Sequence, residues 1–324
     1  MAYEMAEETT RGQVLRQVVA AIGQPEHSVV KVTWRQHSND VGRIELDDGR
    51  VLMVKLARFR WAAPGFEAER QAARLLQDRD VVVPHHLPIP DMVAGRPVLC
   101  YWRIELETKA SIWPRLNGEA QRRVLRTWGG LLRRVHEVDL DSVGRLGEGK
   151  DEPLEHFLGR DVGHRLGPAV AGEWPAGYDS LKTALATLPE LERRVGDQPR
   201  VLLHGDPHAR NVMCTGYAAT CDGFIDLEGA GGGPREMDLA NLVVLHGPHF
   251  DQPLPEDWFR EVQAGYGLEL DPFAMDWFAL YHLLNLGFFS AHVGHAEHAA
   301  AVAASAADRA ESLRRRTNGT APAT

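Results

Sequence analysis

The stretch VVKVTWRQHSNDVGRIELDDGRVLMVKLA, residues 29 to 57, limits what this chain can fold into more than any other part of it. Its β-branched and alternating runs are cut first by the polar QHSND and then by DDG, a turn signal that reverses one strand onto the next. Three antiparallel strands are expected. A helix precedes them over about 11 to 22, with Thr9 or Thr10 as N-cap and Gly23 as its stop. FEAERQAARLLQD (66 to 78) has helical spacing, and RPVLCYWRIE (96 to 105) reads as another strand. After Glu105 the pattern changes to long amphipathic helices, the first over 118 to 140. A short strand-loop-strand insert at 200 to 226 interrupts them, and helix resumes from 234. The expected class is α+β, with an antiparallel sheet and one helix in residues 1–105 and a mostly helical 106–324. The tail from about 314 is expected to be disordered.

At 324 residues the chain exceeds the usual size of a single core. Its net charge of −9 argues against a nucleic-acid partner, which calls for a basic stripe, and is compatible with a cationic small substrate. Three scattered cysteines make neither a disulfide framework nor a zinc site, so Cys214 and Cys221 read as reduced packing residues. The N-terminus has no apolar segment of a secretory signal, and the longest apolar stretch, 273 to 289, is interrupted by Asp276, His282 and Asn285. A cytoplasmic protein without a membrane span is expected.

The chemistry concentrates in LLHGDPHARN, residues 202 to 211. Asp206 and Asn211 are separated by four residues after an apolar run, and fifteen residues later a second run, GFID, ends in Asp226. Phosphoryl transfer needs a carboxylate to orient the acceptor hydroxyl and oxygen ligands to hold Mg²⁺ against the phosphates, and this order supplies both. Lys55 ends the strand VLMVK, and Glu69 lies on the next expected helix, the arrangement of a phosphate-contacting lysine and its carboxylate partner.

HGDPHARN, FIDLEGAGGGPREMDLA, Lys55 and Glu69 together resemble the aminoglycoside phosphotransferase family, small-molecule kinases with a bilobal protein-kinase-like fold; the match spans roughly residues 33 to 242. The resemblance implies Asp206 as catalytic base, Asn211 and Asp226 as Mg²⁺ ligands, and Lys55 as phosphate anchor oriented by Glu69. It further implies phosphate contacts from Ser38 and Asn39, and an adenine-binding hinge at Tyr101, Trp102 and Ile104 that contributes backbone groups. Asp238 would brace the catalytic loop, and Leu131 to His136 match the end of the preceding helix. Three departures stand out. No glycine closes the hinge, Pro207 and Arg210 replace a more usual Leu and Gly, and Glu67 competes with Glu69 for the lysine; its distance from Leu75 and Leu76 favours Glu69.

The implied activity is transfer of the γ-phosphoryl of ATP or GTP, with Mg²⁺, to a hydroxyl of a small molecule, first an aminoglycoside-like antibiotic. The alternatives are another metabolite, a Ser/Thr hydroxyl on a peptide, or nucleotide binding without turnover. Residues 241 to 290 carry seven acidic side chains against one basic one, either a solvated face or an attraction for a polyamine-like acceptor. Tyr281, His282 and Asn285 satisfy the core there or face the pocket. His204 reads as a buried support of the loop. His292, His295 and His298 lack the spacing that best shares one metal.

Overall fold

The computed structural model describes residues 8–36, 39–58, 63–246 and 254–319. Helix α1 (Glu8–Ala21) leads into strands β1 (Val29–Gln36), β2 (Asn39–Leu46) and β3 (Val51–Ala57). After α2 (Ala63–Leu76) come β4 (Met92–Val93) and β5 (Arg96–Trp102). The five strands form one antiparallel sheet in the order β1-β2-β3-β5-β4. The DDG turn behaves as the sequence predicts: Gly49 adopts φ 85°, a conformation that favours glycine, and the Leu46 N–H donates to Arg50 O at 2.9 Å to close the hairpin.

Alternation along β3 decides which side chain meets which partner. Leu52, Val54 and Leu56 join Ile44, Val98 and the α1 residues Val14 and Val18 in one core layer. Lys55, between two of them, points the other way. On α2 the buried positions Gly65, Phe66, Ala68, Glu69, Ala72, Ala73 and Leu76 recur at three- and four-residue spacing, so Glu69 lies on the helix face turned inward. The buried Arg96 side chain donates to Asp40 Oδ2 at 2.9 Å and to Ala57 O, which fixes the start of β2 where Asn39 stands.

The rest is mainly helical. A short β6 (Glu107–Thr108) and α3 (Lys109–Ile112) precede α4 (Gly118–Val135), which Asn117 caps by accepting from the Ala120 N–H. Then follow β7 (Gly144–Arg145), α5 (Leu154–Arg160), a π-helical turn at 161–166, α6 (Gly167–Glu173) and α7 (Tyr178–Val195). Strands β8 (Val201–Leu203), β9 (Val212–Thr215), β10 (Thr220–Phe224) and β11 (Gly231–Gly233) belong to two small sheets, ordered β10-β9-β6 and β7-β11-β8. Helices α8 (Glu236–Leu245), α9 (Trp258–Tyr266), α10 (Pro272–His292) and α11 (Ala296–Thr317) complete the chain. The apolar 273–289 stretch is the buried α10, packed with α7 and α11 around Trp277 and Trp174. No described helix is long and apolar enough to cross a membrane.

The expected disorder from 314 is corrected. Helix α11 continues to Thr317 because Arg314 donates to Thr183 Oγ1 at 2.6 Å and Arg316 reaches Asp276 at 3.0 Å. Arg309 and Ser312 bind the same buried Asp276, a partner set far away in sequence that a polar C-terminal run does not reveal.

The α4–α9 crossing bears on the site because His136, at the C-cap of α4, meets Tyr266 of α9. Two glycines let the backbones approach. A Cβ on Gly129 would lie 2.0 Å from Val262 O, and one on Gly265 1.8 Å from Arg126 O. Gly129→Ala is therefore expected to destabilise the fold by about 1–3 kcal/mol, the cost of overpacking. Urea denaturation measures it, and an unchanged midpoint would refute the close approach.

Candidate functional site

Three segments far apart in sequence converge on one ammonium group. Lys55 Nζ, on a side chain 6% exposed, lies 2.6 Å from Glu69 Oε2, 2.6 Å from Asp226 Oδ1 and 3.1 Å from Glu228 Oε1. Burial alone would lower its pKa, but Asp226, Glu69 and Glu228 reverse that and hold it well above its ordinary value. Lys55 keeps Asp226 below the usual carboxylate range against burial. Glu228 is raised to about 7, by burial first and by Asp226 and Glu69 next, against the pull of Lys55. Glu67, the competing glutamate, instead bonds Gln71, Arg70 and Arg74 on the outside of α2.

Glu228 carries a site contact that the sequence reading did not assign. Both its carboxylate oxygens accept from Asn39 Nδ2, at 2.8 and 3.0 Å, so the start of β2 is tied to the segment after Asp226. The signal was present as a second carboxylate two residues beyond Asp226. Ser38 lies outside the described residues. The carboxylate oxygens of Glu69, Asp226 and Glu228 fall within 4.8 Å of one another, a hard-oxygen set of the kind that suits a divalent cation.

The loop carrying Asp206 is held from behind. Asp238, at the start of α8 and 1% exposed, accepts from the His204 N–H at 2.7 Å and the Gly205 N–H at 2.9 Å, and binds His136 Nε2 at 3.1 Å. Asn241 Nδ2 donates to Gly205 O at 2.9 Å. Gly205 needs its glycine: its φ is 82°, and a Cβ would meet Gly229 O at 2.2 Å. The His204 ring accepts the Asp206 N–H at Nδ1, 3.1 Å, leaving Nε2 to donate to Ile225 O at 3.2 Å. That pattern requires a neutral ring, and burial lowers the pKa of His204 accordingly. One side chain thus joins the loop before Asn211 to the strand end before Asp226.

In front, Asn211 Nδ2 donates to Asp206 O at 3.0 Å and to Asp206 Oδ2 at 3.2 Å. This leaves the Asn211 carbonyl oxygen and the second Asp226 oxygen as ligand atoms beside the acid. Asp226 takes φ 64°, a left-handed conformation uncommon outside glycine that aspartate tolerates better than most side chains. Desolvation raises the Asp206 carboxyl above its ordinary value despite His208 and His204. Of this side chain 43% still meets solvent.

On β5, Tyr101 turns inward against His86, which sits 3.4 Å from Glu69, whereas Trp102 packs on the other face beneath Arg50. Ile104 lies on the extended segment that follows, where the Arg103 N–H is used by Val51 O at 2.8 Å. The Tyr101 phenol lies within the electrostatic reach of Lys55, Glu69, Asp226 and Glu228, and burial raises its pKa.

Beside the Asp206 loop a cavity of about 250 Å³ opens over β11. Its floor is Gly231, Gly232 and Gly233, and its wall includes Phe157, Tyr281, His282 and Asn285. Tyr281, His282 and Asn285 therefore face a pocket while also being satisfied, by Asp161, Met237 O and Tyr281 O respectively. The acidic residues of 241–290 do not line it. Glu261 binds Arg126, Asp271 caps α10 and meets Arg194, Asp276 serves α11, and Glu256, Asp257 and Glu269 are exposed elsewhere; Asp251 lies outside the described residues. His292 and His298 are taken by Glu173 and Ser290.

The profile of the phosphotransferase enzyme family matches residues 30–281. No curated protein sequence matches the chain. Among solved structures, a thermostable variant of aminoglycoside phosphotransferase APH(4)-Ia in ternary complex with ADP and hygromycin B is 16% identical, with TM-score 0.70 and coverage of 96% of this chain and 100% of that one. The gentamicin–APH(2")-IIa complex is 12% identical, with TM-score 0.66 and coverage of 95% and 99%. A GDP complex of an aminoglycoside 2'-phosphotransferase-IIIa variant is 14% identical, with TM-score 0.67 and coverage of 94% and 97%. The antiparallel sheet followed by a helical part is the fold these structures share with the chain.

Asp238→Ala should cost about 3–5 kcal/mol, because it strands a buried histidine and two N–H groups; wild-type resistance to urea would sink the bracing role. His282 gives a pH test. Burial lowers its pKa to about 4, against the Met237 carbonyl and Asp238, so it is neutral when folded. The unfolded ring gains a proton below about 6.5. The stability this contributes is complete above that pH and is lost as pH falls towards 4, by roughly 3 kcal/mol. In His282→Asn this part of the acid limb should vanish, and identical pH profiles would contradict it.

Proposed function

We propose that this chain, which belongs to the phosphotransferase enzyme family and is a nucleotide-dependent phosphotransferase, moves the γ-phosphoryl of ATP or GTP to a hydroxyl of a small molecule. The reading rests on one observation above the others: the Lys55 ammonium held between Glu69 and Asp226, with the Asp206–Asn211 pair beside it. Asp206 orients the acceptor hydroxyl and takes its proton as the oxygen attacks phosphorus. Lys55 moves from Asp226 and Glu228 to the nucleotide phosphates, and Glu69 keeps it extended towards them. Asn39, with Ser38, meets the phosphates once they displace Glu228. The extended segment through Tyr101, Trp102 and Ile104 lends backbone groups to the base.

The donor set fits Mg²⁺. The Asn211 carbonyl oxygen and the free Asp226 oxygen would hold it, with the Glu69–Asp226–Glu228 cluster supplying negative potential nearby. Held there, it would supply positive charge against the charge that develops on the transferred group.

For the acceptor, hygromycin B and gentamicin are what the similar solved structures hold, which supports an aminoglycoside-like compound by likeness of fold. The cavity favours a second reading, a hydroxyl compound of low charge with an apolar body. Among the described residues its one lining carboxylate is Asp238, fully engaged by the loop, and beside Arg145, His282 and Asn285 its walls are glycine backbone, Val143, Leu154, Phe157, Leu203, Met237 and Tyr281. A polycation needs several free carboxylates to replace its hydration.

Two measurements check this. Asp206→Ala should lose about 10²–10⁴-fold in turnover with Mg²⁺ and nucleotide while binding nucleotide nearly as before, and undiminished turnover would end the assignment. A coupled assay across aminoglycosides, macrolides, amino alcohols and Ser-containing peptides then separates the acceptors. Preference for aminoglycosides would overturn the low-charge reading without touching phosphotransfer.

A further inference from the structure

Cys214 and Cys221 face each other across the β9–β10 hairpin. They are partners in the antiparallel register, and their sulfurs lie 3.1 Å apart, about 1 Å from covalent distance. Two buried thiols in an apolar core are ordinarily inert filling. Lys109 makes these different. Its side chain is completely buried, with the ammonium 4.0 Å from the ring centre of Trp113 and 5.1 Å from that of Trp128, and its Nζ has no hydrogen-bond partner among the described residues. Burial lowers its pKa to about 8, and the charges that oppose this belong to Cys221 and Cys214. An amine of that kind shares a proton readily with a neighbouring thiol.

The two sulfurs are not equivalent. Cys214 forms part of the floor of an open cavity of about 410 Å³ between the 105–107 segment and the turn at Gly216 and Tyr217. Cys221, buried like Cys214, is directed at Val124 O at 3.4 Å, and burial pushes its thiol up, so it stays protonated. The third cysteine, Cys100, stands apart on β5, its thiol raised by burial to about 12.

We propose that Cys214, Cys221 and Lys109 form a redox-active site in which hydrogen peroxide converts the two thiols into a disulfide across the hairpin. Cys214 passes its proton to the Lys109 amine, and the thiolate attacks one peroxide oxygen. The S–O bond forms as the O–O bond breaks, and the departing hydroxide leaves as water with the Lys109 proton. Cys221 sulfur then attacks Cys214 sulfur, breaking S–O. The second hydroxide leaves as water with the Cys221 proton, so two thiols are oxidised and one peroxide is reduced to two waters. The bond closes the hairpin that begins one residue after Asn211 and ends two before Asp226, at the point where β6 pairs with Cys214.

The experiment uses the purified full chain. After treatment with hydrogen peroxide under native conditions and removal of the oxidant, thiols are titrated in guanidinium and peptides are mapped without reduction. Titratable thiols should fall from three to one, Cys100 alone, with a Cys214–Cys221 linked peptide that dithiothreitol reverses. Lys109→Met keeps the volume and removes the proton acceptor, and it should slow the reaction about tenfold, the loss in thiolate for each unit of raised pKa. Three remaining thiols, or thiols lost to sulfinic acid without a linked peptide, would overturn the site. Oxidation of Lys109→Met at the wild-type rate would overturn the part given to Lys109.

Discussion

The Lys55 ammonium is the point on which the molecule turns. It comes from a strand whose other face is apolar core, and it reaches Glu69 fourteen residues away and Asp226 at a separation of 171. Three carboxylates around one cation carry net negative charge, which no buried site keeps without cost. Asn39 relieves part of it by donating to Glu228, and the raised Glu228 carboxyl relieves more by holding a proton near neutrality. The cluster is therefore closed on itself, and any anion drawn to this lysine has to compete with carboxylates already in contact with it.

A second constraint acts through the loop of Asp206. The run from Tyr266 through His136 to Asp238, and on to the His204 and Gly205 amides, lies almost wholly out of water. Each donor in it has one acceptor, and reversing any member would leave a buried group unpaired. The same loop ends in a carboxylate that is nearly half exposed. Asp206 is thus held rigidly from behind and meets solvent in front.

Much of this was legible in the sequence because it is local or rhythmic. Alternation about the DDG turn identifies β2 and β3, helical spacing on α2 separates Glu69 from Glu67, and the placing of Asp206, Asn211 and Asp226 along the chain points to one chemistry. The family profile bears out the resemblance and the fold. What stayed hidden depends on partners distant along the chain. Asp276 looks like free negative charge until Arg309 and Arg316 are seen to cover it, and the same contacts order a tail that reads as disordered. Glu228 follows Asp226 so closely that it passes for part of a polar turn, and only the return of β2 with Asn39 gives it a role. Cys214 and Cys221 are seven residues apart, a spacing that says nothing until the hairpin register aligns them.

The floor of the cavity beside Asp206 is bare backbone, and it cannot be otherwise. A Cβ on Gly231 would sit 2.4 Å from Gly144 O, and one on Gly232 1.9 Å from Ser142 O. The packing of β11 against β7 forbids side chains there. Chemical variety around this cavity can therefore come only from its walls, from Arg145 and Phe157 and from the α10 residues Tyr281, His282 and Asn285, above a floor that sequence drift cannot rewrite.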